Sequence, residues 1–350
     1  MGNEFRHGTR IDWADGAKAV SILLVAFHHA QILAASRELS LPAYAYLDAL
    51  LKPIRMPLFF TISGMFAERV LNTPWRSVIR KRLVPYYYLY AVWLLLSWLF
   101  YRYVQAELRH PEAGQSIRQL MATVFIPQGG LWFLWVLVVY FAAGRLLHSF
   151  RHSTVLIILA LVAVLTDFDI FRLHYPLNNV LLYAPFFFFG VWHNRAVAIV
   201  VCKYPWVILF GGFVAYVAAT MLMRRTPYPL VGLTLIQSIL GLCLALGATA
   251  LTCRSKQIRS FFSYLGRNTL PIYVAHAMVI NLLVATVSSH GLDQAFWIVP
   301  GVAMVSVAAS LTLRNLFGRV ADQWLYTADG VTAAWDAIVV RQQMQRSRPS

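Results

Sequence analysis

Gly16-AKAVSILLVAFHHAQILA-Ala35 is twenty residues of almost unbroken apolar sequence. As a helix it covers roughly 30 Å, the thickness of the hydrocarbon core of a bilayer. It nevertheless holds Lys18, His28 and His29, with Asp15 just ahead of it. Ionisable side chains are expensive in hydrocarbon, and those that occur there point to function. Lys18 and His29 are eleven residues apart, which at 100° per residue is three turns plus about 20°. They share one helix face about 16 Å apart along the axis, and Asp15 falls near the same stripe. His28 points about 100° away.

The rest of the chain extends this reading. Of its 350 residues 59% are hydrophobic and 13% charged, and the mean hydropathy is +0.61. A soluble domain is about half apolar and a quarter charged, so a polytopic membrane domain is expected instead of two soluble ones. The fold class expected is all-α, a membrane bundle of about ten transmembrane helices. The candidate runs are 16–35, 48–68, 84–104, 131–147, 154–170, 179–194, 204–222, 229–252, 270–289 and 295–313. The fourth to sixth are short or rich in aromatics. Residues 1–313 form the transmembrane domain and 314–350 a polar, basic tail whose last stretch, RQQMQRSRPS, is expected to be mobile. No internal repeat is visible.

The formal charge of +16 suits a nucleic-acid partner on its own. Here the cations lie between apolar runs with no aromatic–basic groove, so nucleic acid is excluded. With the N-terminus inside, 21 of the 30 lysines and arginines fall in cytoplasmic segments and seven in outer ones. That asymmetry places both termini in the cytoplasm; the membrane expected is the bacterial inner membrane. The first run begins basic and ends in Ala34-Ala35, as a signal peptide does. Its leading aspartates and its histidines argue against cleavage. Cys202, Cys243 and Cys253 have neither metal-ligand nor disulfide spacing, and no metal is expected. Trp132, Trp135 and Tyr140 flank the fourth run as an aromatic belt would.

Four segments carry candidate chemistry, and each has a plainer reading. Asp15, Lys18 and His29 form either an edge salt bridge plus an interhelical hydrogen bond, or a general base in a polar cavity with a cation for an anionic ligand. Arg76-SVI-Arg80-Lys81-Arg82-LVP-Tyr86 either sets topology or clamps phosphate, for which guanidinium is well shaped. Lys52-PI-Arg55-Met56-Pro57-LFFTI-Ser63-Gly64 has two cations three residues apart. Either both snorkel, or Arg55 turns inward to a substrate or an inner carboxylate. Pro57 can open a kink, and Ser63-Gly64 permits close backbone approach. In Leu265-Gly266-Arg267-Asn268-Thr269-LPI-Tyr273-VA-His276, Asn268 or Thr269 can cap a helix. Tyr273 and His276 share a face, either for interhelical hydrogen bonds or for a substrate. Asp167 and Asp169 fall in an expected outer loop and most simply meet water.

Taken together these segments resemble the acyltransferase 3 family of membrane O-acyltransferases. Its first-helix pattern of Asp, two residues, a cation, ten residues and His reads here as Asp15-GA-Lys18-AVSILLVAFH-His29. The spacing selects His29, not His28. Met56-PLFFTI-Ser63-Gly64, Leu83-Val84-Pro85-Tyr86 after the basic stretch, Trp132-Phe133-Leu134 and Leu265-GRNTLPIYVA-His276 match further segments in the family's order. One departure is Ile79, which stands where the family often has the first Arg of Arg-x-x-Arg, with Arg80 beside it. The family's fused extracytoplasmic hydrolase-like domain has no counterpart, as expected of a membrane-only form.

The resemblance implies transfer of an acyl group, usually acetyl and sometimes succinyl, from cytoplasmic acyl-CoA to a hydroxyl of an extracytoplasmic glycan or glycolipid. Acetyl-CoA or succinyl-CoA is then a co-substrate, and no tightly bound cofactor is expected. It casts His29 as the base or as a transient acyl carrier, with Asp15 orienting Lys18. Lys18, Arg76, Arg80 and Arg82 would hold the CoA phosphates. Arg55, Ser63, Trp132, Tyr273 and His276 are the acceptor-side candidates. Two other classes fit intramembrane charge: a transporter of protons or a glycan intermediate, and a non-catalytic scaffold.

Overall fold

The computed structural model describes residues 12–104, 116–168, 170–171, 173, 175–226, 231–290 and 295–336. The expected mobile stretch RQQMQRSRPS and Asp169 lie outside the described residues. Among those described there is no strand. The helices are α1 (Asp12–Ala35), α2 (Pro42–Met65), α3 (Glu68–Leu71), α4 (Trp75–Val78), α5 (Val84–Leu99), α6 (Ile117–Phe125), α7 (Trp132–Leu147) and α8 (His152–Asp167). They continue as α9 (Leu177–Lys203), α10 (Pro205–Arg225), α11 (Leu233–Thr252), α12 (Lys256–Arg267), α13 (Thr269–Ser289) and α14 (Ile298–Leu325). Two π-helical turns, Ile79–Leu83 and Phe100–Val104, fuse α4 and α5 into one rod over Trp75–Val104.

Among the described residues, seven helices are long and apolar enough to cross a membrane: α1, the rod, α9, α10, α11, α13 and the first part of α14. The other expected runs are present as helices of a different kind. α2 has 24 residues but carries Asp48, Lys52 and Arg55. α7 and α8 have 16 residues each. At 1.5 Å per residue those two cover about 24 Å, short of a full hydrocarbon crossing. α9 continues past its expected end but kinks at His193 (φ −117°, ψ 17°). α14 runs on to Leu325, so the start of the expected tail is helical, as is 329–336.

The helices group into two compact units. The first comprises Met1–Phe66, His152–Thr269 and Leu292–Met304; the second comprises Ala67–Arg151, Leu270–Gly291 and Val305–Ser350.

In the first unit α1 packs against α2, α11 and α12. Its alanines 14, 17, 19, 26, 30 and 34 are fully buried. Without a hydrophobic drive between helices in lipid, such small residues allow the close contact that supplies the packing energy. α2 and α9 use the same device reciprocally. A Cβ on Gly64 would lie 2.0 Å from the Phe187 carbonyl oxygen, and one on Gly190 would lie 2.1 Å from that of Thr61. The expected role of Ser63-Gly64 in close approach is met by Gly64, while Ser63 Oγ donates to Phe59 O at 2.8 Å within its own helix.

In the second unit the chain between the rod and α7 differs from the outer loop that the sequence suggests. Tyr87 donates to Val124 O at 3.2 Å, and Tyr90 donates to Thr123 O. Tyr87 lies seventeen residues before Val104, roughly 25 Å along the rod. The C-terminal end of α6 therefore reaches deep beside the rod, towards the end that carries Arg76, Arg80, Lys81 and Arg82. The chain turns at 126–131, where Gly129 takes a positive φ of 82°, and α7 begins. Tyr273 of α13 holds the far side of the turn: its hydroxyl donates to Gly130 O at 2.6 Å and accepts from Phe133 N–H at 3.1 Å. Eight residues on, Asn281 donates to Tyr101 near the rod's other end, at 2.9 Å. α7 then runs on towards the basic end of the rod, where Phe141 meets Arg82 and His148 meets Asn72, so α6 and α7 are successive helices broken at this turn. Trp132 starts α7 beside that turn.

Three phenols explain why the broken turn is stable. Main-chain groups outside a helix have no partner in hydrocarbon, and each unsatisfied one costs several kcal/mol. Tyr87, Tyr90 and Tyr273 supply those partners.

Candidate active site

The polar stripe of α1 lies on one unbroken helix. At its first end Asp15 is 3% exposed, and its Oδ1 is 3.6 Å from Lys18 Nζ. The same ammonium lies 3.6 Å from the centre of the exposed Phe66 ring. Lys18 is thus oriented by one carboxylate and one aromatic face while keeping part of its surface open, which suits a cation that meets an anion. An Asp15–Lys18 ion pair is common to both readings of this stripe.

Three turns further on, the sequence singled out His29, and the structure surrounds its neighbour with charge. His28 Nδ1 lies 3.0 and 2.9 Å from the two carboxylate oxygens of Asp48. Arg55 Nη1 donates to Asp48 Oδ1 at 2.8 Å. Arg55 is 5% exposed, so the inward alternative holds and its partner is an inner carboxylate. Lys52, three residues away, is exposed, and the two cations do not act alike. The carboxylate fixes the proton of His28 on Nδ1, so that in the neutral ring Nε2 is the basic nitrogen. His29 is half-buried, its ring centre 5.2 Å from that of His28 and tilted by 59°.

Asp48 was not among the candidates read from the sequence. A signal was present: Asp48 and Arg55 are seven residues apart, which puts them on one face of α2. A lone carboxylate within an apolar helix needs a cation there.

The remaining candidates belong to the second unit. Arg80, Lys81 and Arg82 occupy the π-helical turn Ile79–Leu83. Arg80 forms an ion pair with Asp336 in which both side chains are about two-fifths exposed. Arg82 donates to the Tyr86 hydroxyl at 3.2 Å, and its guanidinium lies 5.5 Å from the Phe141 ring centre. Arg76 and Lys81 are exposed. A π-turn fans consecutive side chains differently from an α-turn, which separates the partners of Arg80 from those of Arg82.

Tyr273 and His276 do share a face, with ring centres 6.1 Å apart. The Tyr273 hydroxyl is engaged by the turn between α6 and α7. His276 is fully buried, and its Nδ1 lies 2.7 Å from Tyr273 O and 3.0 Å from Ile272 O. Its Nδ1 therefore carries the proton and Nε2 the lone pair. Asn268 donates to Tyr264 O at 2.7 Å, a contact that closes α12. Among the described residues no three His, Cys, Asp or Glu side chains gather as metal ligands.

Comparison with known proteins bears on this arrangement. Inner membrane protein YcfT of Escherichia coli (strain K12) is 21% identical, in an alignment covering 92% of this chain and 97% of that protein. No solved structure gives a significant match. The profile of the acyltransferase domain matches residues 11–315, a span that holds α1 with its polar stripe, the Asp48 trio, the basic π-turn and the Tyr273–His276 pair. An integral membrane protein built of these helices and matched over that length belongs to the acyltransferase 3 family.

Proposed function

We propose that this protein transfers an acyl group, acetyl or succinyl, from cytoplasmic acyl-CoA to a hydroxyl of an extracytoplasmic glycan or glycolipid. The observation that carries the reading is the α1 stripe: a partly open ammonium at one end of a continuous helix and paired imidazoles eleven residues on. The separation, about 16 Å, is comparable to the reach of a pantetheine arm. Both termini are cytoplasmic in this reading, which puts Lys18 on the donor side. Arg76, Arg80 and Arg82 supply further phosphate contacts.

His29 removes the proton of the acceptor hydroxyl as its oxygen bonds to the thioester carbonyl carbon. The C–S bond then breaks, and the departing thiolate takes the proton from His29. In the covalent alternative, the imidazole carries the acyl group between the two substrates. Arg55, Ser63, Trp132 and His276 belong to the acceptor side, and Tyr273 supports it by holding the turn at Trp132.

The test uses purified protein in vesicles with radiolabelled acetyl-CoA and candidate glycans. His29→Ala is expected to abolish label transfer while the protein remains folded; transfer at the wild-type rate by His29→Ala would sink the reading. The His28–Asp48–Arg55 trio, of which Arg55 is buried, also suits proton transport. Proton flux without acyl-CoA consumption would select that alternative.

A further inference from the structure

α12 is built unlike the helices that precede and follow it. Arg254-SKQIRSFFSYLG-Arg267 holds four cations in fourteen residues and no carboxylate. At 100° per residue Ile258, Phe261, Phe262, Tyr264 and Leu265 fall within about 160° of the helix, and Lys256, Ser260, Ser263 and Arg267 occupy the opposite side. Protein covers only part of the apolar arc. Leu265 is buried, and Phe262 is half-buried with its Cβ beside Gly16 of α1. Ile258, Phe261 and Tyr264 of the same arc remain 41%, 52% and 44% exposed.

The neighbours of α12 set its level in the membrane. α11 ends at Thr252 and α13 begins at Thr269, and both are long and apolar enough to cross a membrane. α12 is joined to them by residues 253–255 on one side and by Asn268 on the other. A helix with this charge, tied so closely to two spans, stays at the bilayer edge. Within the first unit it packs against the Asp15 end of α1, where that helix's own apolar run begins. A Cβ on Gly266 would lie 1.9 Å from the Asp15 carbonyl oxygen, and one on Gly16 would lie 2.5 Å from Cys253 Sγ.

We propose that α12 lies in the leaflet at the Asp15 end of α1, with Ile258, Phe261 and Tyr264 among the acyl chains and Arg254, Lys256 and Arg267 on the phosphates of anionic phospholipids. All three cations are exposed. Arg267 is steadied by its own helix, its Nε donating to Ser263 O at 3.1 Å. Exposed apolar and aromatic side chains at a bilayer edge settle at the boundary of headgroups and chains, and basic side chains beside them favour an anionic leaflet. Free phosphate satisfies the cations but not the apolar arc, whereas a phospholipid satisfies both. This surface does not rest on the acyl-transfer reading.

The experiment uses the full chain with Cys202, Cys243 and Cys253 changed to Ala, in nanodiscs of phosphatidylcholine and phosphatidylglycerol, which leave both faces open to solutes. A bimane fluorophore is attached at Phe261→Cys on the apolar arc or at Ser260→Cys on the polar side. Lipid spin-labelled near the headgroup should quench position 261 about threefold more than position 260, and aqueous iodide should prefer 260. At equal mole fraction, spin-labelled phosphatidylglycerol should quench position 261 about twofold more than spin-labelled phosphatidylcholine. Arg254→Gln, Lys256→Gln and Arg267→Gln together should bring that ratio to parity. Iodide reaching 261 as readily as 260 overturns the insertion, and so does a position 261 that neither quencher reaches, since protein then covers the face. Parity with the cations intact, or a preference that survives their removal, overturns the anionic recognition. Displacement of the labelled phosphatidylglycerol by acyl-CoA overturns it too and assigns the cations to the donor. Tyr264→Cys repeats the measurement if Phe261→Cys fails to accumulate.

Discussion

Asp48 of α2 grips Nδ1 of His28 with both carboxylate oxygens, at 3.0 and 2.9 Å, twenty residues away in the chain. The same carboxylate neutralises Arg55, which is 5% exposed. The two helices that carry the family's first motifs are therefore joined by a hydrogen bond to an ion-paired carboxylate that neither motif contains. Breaking one side of such a contact leaves the other charge stranded.

From this follows an order of damage. Asp48→Ala strands the buried guanidinium and should cost about 3–5 kcal/mol of stability. His28→Ala leaves Asp48 with Arg55 and should cost less, about 1–3 kcal/mol. Urea or heat titration of the two variants in detergent checks this; a smaller loss for Asp48→Ala would show that the carboxylate is not the hub.

Activity should follow a different order. His29→Ala is expected to remove transfer entirely. His28→Ala should retain part of it wherever the protein folds, because His28 is anchored to Asp48 and sits on a different face. Equal and complete loss in two well-folded variants would shift the catalytic assignment to the histidine pair.

Gly190→Ala should loosen α2 from α9. Its new Cβ would be built 2.1 Å from the Thr61 carbonyl oxygen, a main-chain atom that cannot step aside alone. Overpacking of this sort costs about 1–3 kcal/mol. A thermal midpoint indistinguishable from wild type would contradict the reciprocal packing.

Tyr273→Phe keeps the ring, which stacks edge-on against Phe133 at 5.6 Å between centres. It removes the hydroxyl that serves Gly130 O and Phe133 N–H. The expected loss is about 1–3 kcal/mol, with faster proteolysis or hydrogen exchange confined to 126–133. Exchange unchanged there would mean that the phenol is not the strut.

Arg80 and Asp336 form a half-exposed pair, which contributes about 0–1 kcal/mol to stability. Asp336→Asn should leave the thermal midpoint unchanged. By releasing the guanidinium it should lower the acyl-CoA KM two- to fivefold, and Arg80→Ala should raise it. A KM that moves the same way in both variants would remove Arg80 from the donor site.

Much of this protein is legible in its primary structure because bilayer physics leaves few alternatives. Long apolar runs must be helices, since only a helix satisfies every main-chain group within its own segment. The face shared by Lys18 and His29 follows from helix geometry, and Gly64 announces a close crossing. The break between α6 and α7 was not legible. α6 is nine residues long, and its turn carries the Gly and Pro that equally mark an outer loop.

The sequence by itself determined an all-helical membrane protein, the order of its polar segments and the residues able to carry proton and phosphate chemistry. These depend on composition and on periodicity within single helices. Only tertiary structure decided that Asp48 is the partner of His28 and Arg55, that Arg80 meets Asp336, and that three tyrosines hold a turn deep beside the rod. Each of those is a contact between segments distant in the chain, and a carboxylate or a phenol in an apolar helix does not name its partner until the helices have packed.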